Sequence, residues 1–259
     1  MDSDNKAPES ESTAGKKIFF LYPTASVQNQ IITELIQNEF EAYVAKDHSR
    51  LSYALKNYSD SIIYINIDDK MPPPEWEKWI GGILTVCPNL KIGIFSNNNE
   101  DEFREKFIQQ NHVTCGYIFQ KVDMTKAVSV VLDKMNEMNV KGRRKYLRAS
   151  TEREANATIN IPYGGDFLHG MIKDISTVGF SCVFDQVPTL PKNSLIKGIQ
   201  LKLQTNLLNV EAVVYGSRDD NEQKIFVMLF TQRVDTDVRS RIKKYIQGNI
   251  QSKMDVEIN

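Results

Sequence analysis

The stretch ATINIPYGGDFLHGMIKDISTVGFSCVF, residues 157–184, decides the fold of the C-terminal part of this chain. Short runs of alternating apolar and polar residues fill it, which is the pattern of β-strands with one buried face. The pair Gly164-Gly165 marks a tight turn between the first two runs. The stretch therefore predicts neighbouring antiparallel strands.

The same strand pattern continues beyond this stretch and ends in a helical one. Six short strands separated by turn residues favour a small antiparallel barrel. Apolar residues at helical spacing over 235–250 predict a helix that closes it. The six strands are predicted at 157–161, 168–173, 179–184, 195–203, 208–216 and 225–231.

The N-terminal half alternates short apolar runs with longer amphipathic stretches. Strict strand–helix alternation predicts an α/β sandwich of (βα)5 type, with a parallel sheet covered on both faces. Ser26 is the expected N-cap of the first helix. The strands are predicted at 18–22, 42–45, 62–67, 92–95 and 117–119. The later helices are predicted at 49–56, 75–86, 100–110 and 124–138.

These patterns divide the chain into four parts. Residues 1–15 are acidic and rich in serine, which predicts a disordered tail. Residues 16–139 form the α/β domain and residues 150–252 the barrel with its helix. Residues 140–149 are a basic linker between them.

Bulk composition excludes several classes of function. A formal net charge of −1 argues against a broad electrostatic grip on nucleic acid or on an anionic membrane. No apolar run approaches the ~20 residues that a membrane helix needs, so we expect a cytoplasmic protein without membrane insertion. Three scattered cysteines and three scattered histidines form neither a metal motif nor a disulfide framework. Without a nucleophile–base pair or a glycine-rich phosphate loop, we expect no enzyme activity and no cofactor.

The linker carries the first of two motifs for binding an anion. Its sequence VKGRRKYLR, residues 140–148, holds five basic side chains and no acid. Arg144 and Arg148 stand four residues apart, and Arg143 precedes them. The planar guanidinium fork of arginine binds phosphate oxygens or the O6/N7 edge of guanine. Taken alone, such a run is more often a solvated segment.

The second motif is Asp174-Ile175-Ser176-Thr177-Val178-Gly179. The carboxylate of Asp174 can accept hydrogen bonds from the N–H groups on the other edge of guanine. Ser176 adds a hydroxyl, and Gly179 lets the backbone turn or approach closely. Alone this motif is more often a turn, but after a basic pair at the entrance to a barrel it favours a ligand site.

Residues 142 to about 250 resemble the PilZ domain, whose signature is RxxxR followed by DxSxxG. Both motifs are intact, at Arg144 and Arg148 and then at Asp174, Ser176 and Gly179. The resemblance implies a bacterial receptor for cyclic di-GMP with the arginine segment folded over the ligand. It also associates a basic residue at the position of Arg143 with an intercalated ligand dimer. Motility, adhesion or biofilm and envelope synthesis are outputs that the family implies.

Charge repulsion within the linker suggests how such binding acts. Five cations without a core to join should leave the segment mobile, and a dianionic ligand should order it. Ordering would fix the orientation of the preceding domain and signal through contacts with an unidentified protein effector. A homodimer is left open.

The (βα)5 order resembles the receiver domain of response regulators. Asp68 follows the third strand and Ser96 ends the fourth, as in that family. Tyr22 and Pro23 stand where the acidic pair for Mg²⁺ is expected, and Gln120 replaces the lysine after the fifth strand. We therefore expect a receiver-like scaffold. The alternatives are a two-component regulator that responds to phosphorylation of Asp68, and a barrel that serves only as structural support.

Overall fold

The computed structural model describes residues 15–110, 112–121, 123–151, 154, 156–220 and 223–259. By its internal contacts the chain divides into two compact units. The first comprises Met1–Lys145 with Asp255–Asn259, and the second comprises Tyr146–Met254. The predicted tail 1–15 lies, apart from Gly15, outside the described residues.

The first unit is built on a five-stranded parallel sheet with strand order β2-β1-β3-β4-β5. This is the strand order of flavodoxin-like folds, and it confirms the predicted (βα)5 architecture. Every residue of β1 and β3 is buried, so helices cover both faces of the sheet centre. The strands are β1 Ile18–Leu21, β2 Ala42–Ala45, β3 Ile62–Asn66, β4 Lys91–Ser96 and β5 Val113–Phe119. The helices are α1 Val27–Ile32 continued by Thr33–Gln37, α2 His48–Ala54, α3 Pro73–Val86, α4 Asp101–Gln110 and α5 Met124–Glu137.

Two local predictions in this unit were wrong. Ser26 has helical backbone angles and makes no capping hydrogen bond. Thr24 caps the helix instead, one residue before the first helical turn at Ala25: its side-chain oxygen accepts from Val27 N at 3.4 Å and its carbonyl from Gln28 N at 3.0 Å. Strand β5 begins at Val113, four residues before the predicted start. The sequence pattern missed its first part because Gly116, at φ 92°, shifts the register with β4 and interrupts the alternation of apolar and polar residues.

The second unit is a closed antiparallel barrel, as predicted. The strands follow the order β8-β7-β10-β11-β12-β9, and pairing of β8 with β9 closes the barrel. Helix α6 packs Ile242, Tyr245 and Ile246 into the barrel core. The strands are β6 Arg148–Ser150, β7 Ala157–Tyr163, β8 Asp166–Ser176, β9 Gly179–Phe184, β10 Leu195–Leu203, β11 Asn206–Asp220 and β12 Gln223–Phe230. Helix α6 spans Thr236–Ile258 and is longer than the predicted 235–250.

A one-residue bulge in β8 determines which side chains reach the outer surface of the barrel. Ile172 pairs with Cys182, but Asp174 pairs with Ser181, so Lys173 is an extra residue without an opposite partner on β9. Ile172 is buried in the core on one side of the bulge, and Asp174 faces outward on the other.

The centre of the α/β unit should tolerate no side chain at Gly93. A Cβ there would lie 2.3 Å from Cε1 of Tyr64. That ring is stacked on Phe20 at 5.3 Å, and its hydroxyl donates to the Cys115 carbonyl at 3.2 Å. We expect Gly93→Ala to lower the free energy of unfolding of this unit by about 1–3 kcal/mol.

Gly81→Ala is the matched control, because no atom lies within 4 Å of its added Cβ on helix α3. It should raise the free energy of unfolding by about 0.5–1 kcal/mol. Urea unfolding followed by tryptophan fluorescence measures both effects, since the two tryptophans, Trp76 and Trp79, lie on α3. Equal stability of the two variants would contradict this packing.

Candidate ligand-binding site on the barrel

Strand pairing brings four of the six predicted site residues together. Arg148 on β6 lies opposite Ser176 on β8, and Ser176 lies opposite Gly179 on β9. Asp174 is two residues from Ser176 on the same strand and shares its outward direction, because Ile175 between them is fully buried in the core. The two motifs therefore meet on the outer face of the barrel.

The carboxylate of Asp174 is held by two neighbours. Ser181 Oγ donates a hydrogen bond to its Oδ2, and Arg148 Nη1 lies 3.6 Å from its Oδ1. The side chain of Arg148 is 51% exposed and that of Asp174 26%. Such a solvent-exposed ion pair contributes only about 0–1 kcal/mol. Arg148 is therefore free to exchange this partner for another anion at little cost.

Ser176 and Gly179 shape the turn between β8 and β9. Ser176 Oγ donates to the Gly179 carbonyl at 3.0 Å and accepts from Val178 N at 3.4 Å. A Cβ on Gly179 would lie 2.1 Å from the carbonyl oxygen of Met228. Glycine is thus required by the close approach of β9 to β12, and the serine hydroxyl stabilises the turn.

Two residues that the sequence analysis missed support this turn and the carboxylate. Arg239 on α6 donates to three backbone carbonyls, at 2.7 Å to Thr231, 3.3 Å to Val234 and 3.4 Å to Thr177 in the turn itself. Ser181 orients Asp174. The alternation after Gly179 could have indicated Ser181, whereas a lone arginine on an amphipathic helix has no local signal.

The basic segment differs from the expected mobile linker at both ends. Val140 is buried in the first unit, where Lys16 N donates to its carbonyl at 2.9 Å. At the other end Arg148 begins a strand, because Ala149 is buried in the barrel core and Leu147 packs against it. The central part of the segment, residues 141–147, has neither helix nor strand structure.

Arg143 and Arg144, the other two predicted site residues, lie in that central part. Both are exposed, and both belong to the first unit, whose N-terminal segment ends at Lys145. The structure therefore gathers Arg148, Asp174, Ser176 and Gly179 into one site on the second unit. It assigns the two leading arginines to the segment immediately before that unit.

The core below the site contains the thiol of Cys182. Cys182 on β9 is fully buried, and burial, followed by the charge of Asp174, raises the pKa of its thiol. The thiol is therefore neutral at physiological pH.

Among the described residues, no group of three or more His, Cys, Asp or Glu side chains is placed to hold a metal ion. None of the helices in the described part of the chain combines the length and the apolar character needed to cross a membrane.

In the α/β unit, Asp68 lies two residues beyond the end of β3 and is fully engaged by internal donors. Ser96 Oγ donates to its Oδ1 at 2.7 Å. Asn97 N donates to its Oδ2 at 2.5 Å, and Gln120 Nε2 lies 3.4 Å from the same oxygen. The carboxylate is thus held by neutral groups at the carboxyl ends of the strands.

Tyr22, at the position of the expected acidic pair, belongs to an aromatic cluster. Its backbone is in the left-handed region, with φ 53°, and its hydroxyl is 2.8 Å from His48 Nδ1. The rings of Trp76 and Trp79 pack edge-to-face at 5.7 Å, and both approach His48. Burial is the main cause that raises the pKa of Tyr22, so its hydroxyl stays protonated. The cluster offers rings and a hydroxyl where a Mg²⁺ site would need carboxylates.

This unit is a closed six-stranded barrel with an arginine and a carboxylate paired on its outer face. Residues 142–248 match the family model of the PilZ domain. This part of the chain is a PilZ domain, and the first unit is a receiver-like domain by its strand order. Comparison with curated proteins gives no match.

Solved structures resemble each part of the chain. The PilZ domain with c-di-GMP of YcgR from Escherichia coli is 15% identical, and the match covers 44% of this chain and 96% of that one, with a TM-score of 0.39. For the MrkH–c-di-GMP complex of K. pneumonia the identity is 23%, the coverage 40% and 51%, and the TM-score 0.36. A response regulator from Thermotoga maritima is 11% identical, with coverage of 47% and 98% and a TM-score of 0.41. The chain thus spans about half the length of the MrkH structure that it matches.

Arg239 should be a positioning residue for the turn that carries Gly179. Arg239→Lys keeps the charge but loses the planar fork, so the three carbonyls lose donors. We expect the barrel to lose about 1–3 kcal/mol of stability. Amide hydrogen exchange across the turn should become faster. Arg241→Lys is the control, because Arg241 lies on the same helix and donates to the Asn206 side chain at 3.3 Å. Unchanged exchange in Arg239→Lys would contradict the role.

Asp68 should resist phosphorylation by small phosphodonors. Without carboxylates beside it, little is available to bind the Mg²⁺ that stabilises the transferring phosphoryl group. We expect no adduct on Asp68 after incubation with acetyl phosphate and Mg²⁺, as measured by mass spectrometry of the intact chain. An adduct that disappears in Asp68→Asn would instead support the phosphorylation-responsive alternative.

Proposed function

We propose that this protein is a cyclic di-GMP receptor that binds its ligand on the outer face of the barrel. One observation carries the proposal: on a PilZ domain, Arg148 and Asp174 lie 3.6 Å apart at the surface, beside the Ser176–Gly179 turn. The ligand combines two phosphates with two guanines. These are the groups that an arginine fork and a carboxylate recognise.

Each residue of the site has a distinct role in this proposal. Arg148 leaves Asp174 and binds a phosphate or the O6/N7 edge of a guanine. Asp174, held in place by Ser181, accepts from the N–H groups on the opposite edge of the base. Ser176 and Gly179 keep the turn flat, so that the ligand can approach the backbone.

Arg143 and Arg144 supply the remaining charge. Arg148 is four positions after Arg144, so their Cα atoms are never more than about 14 Å apart. Both leading arginines are exposed. They can therefore close over a ligand that already contacts Arg148, and Arg143 adds a cation for a second ligand molecule.

Binding at residues 140–149 acts on the junction between the α/β domain and the barrel. Because the ligand's charge cancels the repulsion among the basic side chains, ligand capture and domain orientation become one event. The receiver-like domain then serves as the surface for a protein effector rather than as a catalyst. In this proposal the protein is a cytoplasmic signalling receptor and has no enzyme activity.

Isothermal titration with cyclic di-GMP tests the proposal. Arg144→Ala combined with Arg148→Ala should weaken binding at least 100-fold, since charge-assisted hydrogen bonds contribute about 1.5–3 kcal/mol each. Arg104→Ala is the control, because it removes a partly exposed arginine, paired with Asp101, from α4 of the other unit. Its affinity should equal that of the wild type.

The outcomes separate two errors. Absence of binding by the wild type would refute the receptor function itself. Wild-type binding that persists in the double variant would show that the ligand uses another surface. The ligand-to-chain ratio decides the role of Arg143, with a ratio of about two expected for an intercalated dimer.

A further inference from the structure

A flat floor of small residues adjoins Asp174 on the outer face of the barrel. Ser176 is paired with Gly179, and Asp174 is paired with Ser181. Gly179 and Ser181 on β9 raise no bulky side chain above the sheet. Phe180 between them points into the core. Gly179 and Ser181 are themselves buried, so next to the carboxylate β9 carries only small side chains that lie below their larger neighbours.

An apolar edge bounds this floor on the side away from Arg148. Strand β12 follows β9, and its Leu229 is paired with Gly179. Leu229 is 37% exposed, while its neighbour Met228 is fully buried, so the leucine faces outward. A Cβ on Gly179 would lie 3.2 Å from Leu229 Cδ2, which places the methyl group directly beside the glycine.

The apolar edge continues along the same row of the sheet. Leu229 is paired with Val213 on β11, and Val213 with Leu195 on β10, which is 47% exposed. From Ser176 on β8 to Leu229 on β12 is two strand spacings, or about 10 Å. The floor thus has a polar edge at Asp174 and an apolar edge at Leu229, separated by the width of a planar bicyclic ring and its substituents.

We propose that Leu229 is a ligand-contacting residue that packs against the face or sugar side of a purine whose polar edge is read by Asp174. The inference rests on the proposed function and adds a residue outside both signature motifs. Ligand sites are mostly apolar, with a few polar groups that fix orientation. A site made only of Arg148, Asp174 and Ser176 lacks the apolar part, and Leu229 is the large apolar side chain nearest to Gly179 on the floor.

The test is the affinity for cyclic di-GMP of the full chain and of Leu229 variants, measured by titration calorimetry. Leu229→Asn should weaken binding about tenfold, the effect expected from losing burial of one leucine side chain. Leu229→Met, which keeps an apolar side chain, should stay within about threefold of the wild type. Leu207→Asn is the control, since Leu207 is also exposed but lies at the start of β11, opposite Lys202.

A second measurement on the wild type does not depend on the folding of any variant. The methyl signals of Leu229 should shift upfield when cyclic di-GMP is added, because a purine ring over them shields them, whereas those of Leu207 should not move. Wild-type binding without this shift, or with equal affinity in Leu229→Asn, would overturn the role of Leu229 alone. Absence of wild-type binding would overturn the receptor function as well.

Discussion

The extra residue in β8 is the constraint on which the proposed binding face depends. Side chains along a strand alternate between its two faces, so residues two apart share a face. Without the bulge at Lys173, Asp174 would share the face of Ile172 and would point into the core. A carboxylate there would need a buried partner. The bulge shifts the phase by one residue, and Asp174 then shares the outer face with Ser176. Ile175 still fills the core.

The site combines a rigid platform with one labile contact. The platform consists of backbone and short side chains, held by the Gly179–Met228 approach and by the guanidinium of Arg239 on three carbonyls. The labile contact is the exposed pair of Arg148 with Asp174, which contributes little stability. In the proposed receptor, a surface of this kind would hold its geometry while its arginine exchanges Asp174 for the ligand.

The α/β unit shows how one topology can carry different chemistry. Its strand order places Asp68, Ser96 and Gln120 at the carboxyl ends of neighbouring strands, where ligands of such folds bind. Here these side chains bond to one another, and Tyr22 belongs to an aromatic cluster with His48 at the end of β1. The unit keeps the architecture of a receiver, and these polar residues bond to one another at the end of the sheet.

The sequence alone determined the fold class of both units and two of the candidate site residues. Hydrophobic periodicity and turn residues predicted the (βα)5 sheet, the barrel and the closing helix, and residue chemistry selected Arg148 and Asp174, because these signals are local. Strand β6 and the roles of Ser181 and Arg239 escaped prediction. The tertiary structure alone decided the face that Asp174 presents and the neighbours of Gly179. The physical reason is that strand register and close backbone approach depend on residues that are far apart in the chain.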